Sequence, residues 1–368
     1  MRVDQLVPGF AKHDAISNHM LQLRRVFRRA GYASDIYADW IDPRLAGEGA
    51  RPPSECPSAP DADRVLLYHQ SAHSPMAGWL RDVAAAGQLL ATDYHNITPS
   101  KYFARWEPPA AKSMDLARKE LELLAPWTGL ATADSPYNEA ELIEFGYGRT
   151  AVCPLLVDLE EYHREPDSRT LDRLRRHRER GGSRWLFVGR MSPNKCQHDI
   201  IAAFAVYRRL FDPLAMLTLV GGATSPRYLR ALQQLTAELE LGDSVEYRDG
   251  TPFSQLLAYF HASDVFVCLS EHEGFCVPIL EAMELGLPVI AYRAAAVTDT
   301  VDTAGILLDD KDPLAVACAV DELLSDVRRR VGLVEAGRSR AATFSLEHTS
   351  RVFVDTLSAW LSSVSAQA

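Results

Sequence analysis

The amino-acid sequence predicts an α/β protein built from two Rossmann-like, doubly wound domains facing a cleft. Three observations predict it. Short apolar runs of strand length alternate with helical patterns along most of the chain, as parallel β-α-β units require. The alternation occurs twice, on either side of a charge-rich stretch over residues 158–182 that ends Gly181-Gly182, a natural boundary. The 368 residues also suffice for two cores of about 150 residues each.

The first domain is expected over residues 1–160, with strands at 3–7, 34–37, 64–68, 88–92, 130–133 and 150–153. Helical patterns fall between them at 15–30, 76–85, 111–124 and 138–145, and a polar connection rich in Pro, Gly and Ala runs to Asp61. The second domain, residues 183–344, repeats this grammar. Its strands are expected at 184–188, 216–220, 245–247, 265–269, 289–291 and 305–308, and its helices at 197–210, 227–241, 253–261 and 277–285. A last helical pattern occupies 345–361, within a closing segment 345–368.

Composition narrows the function classes. Hydrophobic residues make up 47% of the chain and charged residues 24%, an ordinary globular balance. With 39 Lys and Arg against 49 Asp and Glu the formal net charge is −10, which argues against a general nucleic-acid binder. No apolar run approaches the ~18 residues of a membrane-spanning helix. In Met1-Arg-Val-Asp-Gln-Leu-Val an acidic residue interrupts a very short apolar run, so no signal peptide is expected and the location is read as cytoplasmic. The cysteines at 56, 153, 196, 268, 276 and 318 form no Cys-x-x-Cys pair. Buried thiols in a reducing compartment are expected rather than disulfides or a zinc site. Two basic runs, Arg24, Arg25, Arg28, Arg29 and Arg173, Arg175, Arg176, Arg178, Arg180, read as solvated faces, with weak peripheral docking at the inner membrane face as the alternative.

The most informative string is Ser270-Glu-His-Glu-Gly-Phe-Cys-Val-Pro-Ile-Leu-Glu281-Ala-Met-Glu-Leu-Gly286-Leu-Pro288-Val-Ile. It follows the apolar run Asp264-Val-Phe-Val-Cys-Leu269, turns at a glycine and becomes helical. Ligands of parallel sheets gather beyond the carboxyl ends of strands, where Glu273 and Gly274 are expected. Pro278 suits the first helical position because it has no N–H to lose there, and Glu281 falls one turn further on. The helix amino end offers free N–H groups to phosphate or sugar oxygens, and the two carboxylates can accept hydrogen bonds from vicinal hydroxyls.

A second string, Trp185-Leu-Phe-Val-Gly189-Arg190-Met-Ser-Pro-Asn-Lys195, places a glycine and two cations in the loop after an apolar strand. Gly189 lets the backbone turn sharply. Arg190 offers a bidentate fork to a phosphate and Lys195 a compact ammonium. Two cations on one loop suit a leaving diphosphate, whose charge grows as a glycosidic bond breaks.

Together and in this order the two strings resemble glycosyltransferase family 4, whose members carry Glu-Gly-Phe-Gly-x-x-x-x-Glu-Ala-x-x-x-Gly-x-Pro-Val. Glu273, Gly274, Phe275, Glu281, Ala282, Gly286, Pro288 and Val289 match, and Cys276 stands where the family usually has glycine. The resemblance implies the GT-B fold, with a last helix that often crosses back to the first domain. It also implies an NDP-sugar donor, UDP favoured over GDP, held by Arg190, Lys195, Glu273, Gly274, Phe275, Cys276, Val277 and Glu281. Leu219-Val-Gly221-Gly222 looks like the family's strand-end glycine pair, and Tyr247-Arg-Asp-Gly250-Thr251 falls where its base-binding loop lies.

The first half is then the expected acceptor domain. In Leu6-Val-Pro-Gly9-Phe-Ala-Lys-His-Asp14-Ala-Ile-Ser-Asn18, Gly9 marks the loop that family members place near the donor phosphates. Asp14 suits either an acceptor hydroxyl or a helix cap beside Ser17. Asp93-Tyr94-His95-Asn96 follows a strand, and the resemblance implies that His95 corresponds to the family's histidine near the donor sugar. Tyr68-His69-Gln70 and Ser71-Ala72-His73 end the preceding strand, and Tyr102, Phe103 and Trp106 read as an acceptor platform or a packed loop.

The expected activity is retaining transfer of a sugar from an NDP-sugar to an acceptor hydroxyl on a sugar, a lipid-linked carrier or a natural product. Glu273, His95, Arg190 and Lys195 are the expected catalytic set. No nucleophile is evident, so front-face attack is favoured, with a phosphate oxygen taking the acceptor proton. No Asp-x-Asp pair stands in a convincing place for a metal, and neither metal nor cofactor is expected. The alternatives on this fold are a sugar-nucleotide epimerase or hydrolase and a catalytically silent nucleotide-sugar binder.

Overall fold

A computed structural model describes residues 1–12 and 14–366. They divide into two compact units, one of Met1–Lys101, Pro109–Val157 and Phe344–Ala368, the other of Tyr102–Pro108 and Asp158–Thr343.

The first unit alternates β1 (Arg2–Phe10), α1 (Ala15–Arg29), β2 (Ile36–Ile41), β3 (Arg64–Gln70), α2 (Met76–Ala85), β4 (Leu89–Tyr94), α3 (Pro108–Leu124), β5 (Leu130–Ala133), α4 (Pro136–Glu144) and β6 (Thr150–Val152). The six strands form one sheet in the order β2-β1-β3-β4-β5-β6, and each neighbouring pair is parallel. Every residue of β3 and β5 is buried, because helices cover both faces of a doubly wound sheet and leave the strands no wet side.

The second unit contains α5 (Ser168–Arg178), β7 (Arg184–Val188), α6 (Gln197–Leu210), β8 (Met216–Val220), α7 (Pro226–Glu238), β9 (Val245–Arg248), α8 (Phe253–Ala262), β10 (Val265–Cys268) and α9 (Val277–Glu284). It continues through β11 (Val289–Tyr292), α10 (Val297–Val301), β12 (Ile306–Leu308), α11 (Pro313–Ser325) and α12 (Val327–Ala342). Its sheet is again parallel, in the order β12-β11-β10-β7-β8-β9. From β7 the chain winds outward to β8 and β9, then returns to lay β10 on the other side of β7. That reversal opens a crevice at the carboxyl ends of β7 and β10, where doubly wound sheets hold their ligands.

The closing helix α13 (Leu346–Ser365) belongs to the first unit. Its Phe353, Leu357, Trp360 and Leu361 recur on one helical face and join Val3, Leu23, Phe27, Val65 and Leu130 in a single core cluster. Trp360 lies so close to Gly129 that a Cβ there would sit 2.6 Å from the indole ring.

Several expected boundaries shift. Strand β1 runs on to Phe10, so Gly9 is a strand residue paired with Trp40, and the loop containing Lys12 begins beyond it. His13, in that loop, lies outside the described residues, as do Gln367 and Ala368 of the closing segment. The stretch over 158–182 is not a bare boundary. It enters the second unit at Asp158 and forms α5, capped by Asp167 through the Thr170 N–H at 2.8 Å, with Leu171 and Leu174 buried. The segment Tyr102–Pro108 groups with the second unit rather than with the residues around it. Helices α10, α11 and α12 add to the expected set. No helix of the described residues is long and apolar enough to cross a membrane, and all six cysteines are free thiols.

Candidate functional site

Two loops converge where the second sheet reverses. After β7 the chain passes Gly189, at φ +150°, and enters a 3-10 turn over Pro193–Lys195. After β10 it runs through Glu271, His272, Glu273 and Gly274 to α9. Asn194 joins the two loops: its side-chain amide donates to the His272 carbonyl at 3.0 Å, and its own carbonyl accepts from the Glu271 N–H at 2.9 Å. Lys195 completes the junction by donating from Nζ to Glu273 Oε2. Burial pushes the Lys195 ammonium down, but the Glu273 carboxylate beside it outweighs that cost, and the net shift is upward.

Arg190, on the same loop, is exposed, and among the described residues its guanidinium has no hydrogen-bond or ion-pair partner. Its backbone carbonyl is held by the Gln197 amide at 3.0 Å. The loop is therefore anchored while its charged head stays available. Gly221 is required just beside it, because a Cβ there would fall 2.1 Å from the Gly189 carbonyl oxygen. That contact explains the strand-end glycine better than a simple turn does.

Helix α9 starts at Cys276, whose backbone is left-handed at φ +71°. An L-residue with a Cβ is strained there, which gives glycine its advantage at this position and leaves cysteine bearing a cost. Pro278 occupies the first turn. One turn in, Glu281 is buried; Tyr162 donates its hydroxyl to Oε1, while Oε2 has no partner. Burial raises the Glu281 carboxyl to about 7 despite the Tyr162 hydrogen bond. A buried acceptor without a donor is costly, so this oxygen is a ready seat for a ligand hydroxyl.

Phe275 is buried, and its carbonyl accepts from the Thr300 hydroxyl. Arg190, Lys195, Glu273, Gly274, Phe275, Cys276, Val277 and Glu281 thus all lie on the two loops and the first turns of α9 at this crevice. Tyr162 was not legible as a partner of Glu281: it sits in the charged stretch that reads as a boundary, 119 residues away in sequence. Asn194 carried no signal beyond its place in the second motif.

His95 and Gly9 belong to the first unit. His95 lies past the end of β4 in a buried network. Its Nδ1 bonds Asp134 at 3.0 Å, and its Nε2 bonds His69 Nδ1 at 2.9 Å. His69 Nε2 meets the Gln5 side-chain oxygen at 3.0 Å. Because that Gln5 amide already donates from Nε2 to the Met20 carbonyl, its oxygen is an acceptor and His69 Nε2 carries hydrogen. His69 Nδ1 then accepts from His95, which is left protonated on both nitrogens. Burial pushes His95 down, yet Asp134 and Asp93 reverse the balance and raise it to about 9, whereas burial carries His69 down to about 4.

His19 fits the same pattern. Its Nδ1 accepts the Leu156 N–H at 2.9 Å, so Nε2 donates to Asp93 at 2.9 Å. His19, His69, Asp93 and His95 lie close enough together to hold a metal ion, but every ring nitrogen already has a protein partner. The His95 side chain is 1% exposed, so a sugar contact through Nε2 requires release from His69. His73 instead pairs with Glu120. Asp14 caps α1 through the Ser17 N–H at 2.9 Å. Trp106 packs edge-on to Tyr228 at 5.1 Å, and Phe103 is buried, the packed-loop alternative for these two of the three aromatics. Of the basic runs, Arg24 pairs with Glu48, Arg173 with Glu246 and Arg178 with Asp264.

A family model described as glycosyl transferases group 1 matches residues 175–340. A D-inositol 3-phosphate glycosyltransferase of Corynebacterium urealyticum is 31% identical over 46% of this chain and 41% of its own length. A GDP-mannose-dependent alpha-(1-6)-phosphatidylinositol monomannoside mannosyltransferase of Mycolicibacterium smegmatis is 31% identical over 61% of this chain and 60% of its own. The chain therefore spans about half the length of the curated relatives it matches. Among solved structures, Anabaena HepE in complex with UDP-glucose superposes with a TM-score of 0.77 at 17% identity, covering 98% of this chain and 100% of that one, a likeness of fold. The matched family model, these relatives and the two parallel sheets agree: over residues 175–340 the chain is similar to the group 1 glycosyltransferases, and its fold is of the GT-B type.

Proposed function

We propose that the protein transfers a sugar from a nucleoside diphosphate sugar to an acceptor hydroxyl with retention of anomeric configuration. The observation that carries this reading is the crevice between β7 and β10. There the free guanidinium of Arg190 and the Lys195–Glu273 ion pair stand on two adjoining loops, and the unpartnered Glu281 Oε2 stands on the first turns of α9. Arg190 and Lys195 hold the diphosphate, Glu281 accepts from the ribose hydroxyls, and Glu273 accepts from the donor sugar. The N–H groups at the start of α9, around Cys276 and Val277, complete the cradle.

As the glycosidic bond breaks, negative charge gathers on the leaving diphosphate and positive charge on the anomeric carbon. Fixed cations beside the first stabilise the transition state more than the ground state. In this reading a phosphate oxygen takes the acceptor proton, so retention needs no protein nucleophile. None of these steps calls on a metal.

UDP is the favoured nucleotide. The fold neighbour HepE is a complex with UDP-glucose, whereas the Mycolicibacterium relative is GDP-mannose-dependent, so both donors belong in the test. Calorimetric titration of the purified protein with UDP, GDP and their sugars, followed by a transfer assay over an acceptor panel, decides the matter. Binding of one nucleoside diphosphate with acceptor-dependent release of it supports the proposal. Rapid acceptor-free epimerisation or hydrolysis, or binding with no turnover on any acceptor, overturns it. The acceptor classes are sugars, lipid-linked carriers and natural products, with the reaction placed in the cytoplasm.

A further inference from the structure

Cys268 ends β10 and Cys276 begins α9, eight residues apart, and their sulfurs stand 4.0 Å from each other. Both side chains are buried, Cys276 retaining 8% exposure and Cys268 none. The chain between them carries Glu273, Gly274 and Phe275, so the two thiols close the base of the loop that the proposed function assigns to the donor sugar. A disulfide needs a sulfur–sulfur distance of about 2.0 Å. The gap is bridged by side-chain rotation and a small movement of one backbone end, and the strained left-handed Cys276 is the end with most to gain by moving.

We propose that Cys268 and Cys276 form a peroxide-oxidisable dithiol whose disulfide locks the Glu273 loop and weakens nucleotide-sugar binding. The regulatory half of this inference rests on the donor-site reading above; the chemical half does not. One thiolate attacks a peroxide oxygen, the O–O bond breaks, and water leaves behind a sulfenic acid. The second thiolate then displaces the sulfenic oxygen as another water and the S–S bond forms. Two protons and two electrons leave the thiols, and one hydrogen peroxide becomes two waters.

The local chemistry favours this pair over the other four thiols. The contact between the two thiols holds Cys268 down and Cys276 up. Ser270 adds a contact to Cys268 at 3.4 Å, and the nearby Lys195 ammonium favours the Cys276 thiolate. Burial is the largest influence on Cys56, Cys153 and Cys196 and leaves each raised. Where the family pattern has glycine, no such pair exists, so the device belongs to this chain's own residue at 276.

The test treats the full-length protein with hydrogen peroxide, maps cross-links by peptide mass spectrometry and titrates UDP before and after dithiothreitol. The expected result is a Cys268–Cys276 peptide short of two hydrogens, with UDP affinity lowered about tenfold or more and restored by the reductant. Cys268→Ser keeps its reduced-state affinity and loses its sensitivity to peroxide; Cys268→Ala repeats the measurement if serine disturbs folding. The inference falls if no such cross-link forms at peroxide levels that oxidise Cys318, if the cross-link leaves UDP affinity unchanged, or if Cys268→Ser is inhibited equally. Failure of the reduced protein to bind any nucleotide overturns the donor reading and the regulatory half together, while the mapped cross-link still decides the dithiol.

Discussion

The ammonium of Lys195 and the carboxylate of Glu273 are joined in an ion pair that bridges the loop after β7 and the loop after β10. One residue is assigned to the diphosphate and the other to the donor sugar, so the pair prepositions both before any ligand arrives. Asn194 fixes the same junction through the backbone, leaving the pair to set charge rather than spacing.

Removing one member therefore has two effects of different size. Lys195→Ala strips the cation from the leaving group and is expected to lower kcat by about 10²-fold or more. It also strands a buried carboxylate, which costs stability. The double variant Lys195→Ala/Glu273→Gln removes that stranded charge, so it should unfold at a higher denaturant concentration than Lys195→Ala while staying equally inactive. Steady-state kinetics beside urea melts measure the two effects; near-normal transfer by Lys195→Ala rules out the assigned role.

Glu281 makes nucleotide binding pH-dependent. Its carboxyl is raised from 4.5 to about 7 by burial, so the folded protein binds a proton more tightly than the unfolded chain. Its contribution to stability therefore falls as pH rises from about 4.5 to 7, and Glu281→Gln removes that slope. Ribose hydroxyls donating to Oε2 favour the carboxylate, so UDP binding releases a proton near neutrality. Calorimetry in buffers of different ionisation enthalpy should detect that release in the wild type and lose it in Glu281→Gln. Tyr162→Phe deletes the one hydrogen bond to Oε1 and should weaken UDP binding by about 1 kcal/mol, with KM raised more than kcat is lowered.

The two sheets were legible because strands buried on both faces read as apolar runs, unbroken in Val265–Cys268 and interrupted only by Thr218 in Met216–Val220, between helices with one apolar stripe. Helix α12 lacked that stripe. Its buried positions are Gly337 and Ala341, small residues that let it approach α9, where a Cβ on Gly337 would stand 3.2 Å from Met283. Close packing by small side chains leaves no hydrophobic period to read. The site divides in the same way. Arg190, Lys195 and Glu273 sit on short loops after their strands and Glu281 on the helix that follows, so local pattern located them. Tyr162, Asp134 and His19 meet their partners only through tertiary folding, and the commitment of both His95 nitrogens followed from those partners.

Gly129 tests the seat of α13. A methyl group there would collide with the Trp360 ring at 2.6 Å, in a core that also holds Phe353 and Leu357. Gly129→Ala should cost about 1–3 kcal/mol by overpacking, read as a lowered urea midpoint at unchanged m-value. Trimming the ring in Gly129→Ala/Trp360→Leu should return part of that loss, because the two positions share one contact.

The histidine network predicts an optimum of stability. His95 is raised from 6.5 to about 9, so its contribution is complete below about 6.5 and is lost as pH climbs through 9. His69 is depressed from 6.5 to about 4; the unfolded chain protonates first on acidification, and stability falls as pH drops from about 6.5 towards 4. The two limbs have separate owners. Asp134→Asn removes the anion that holds His95 charged and should flatten the alkaline limb. His69→Gln removes the group that must stay neutral and should flatten the acid limb. NMR titration of the His95 ring carbons should place its midpoint near 9 in the wild type and well below that in Asp134→Asn. A His95 midpoint at its ordinary value in the wild type would mean that His95 Nε2 accepts rather than donates, and the assigned proton on that nitrogen would be wrong.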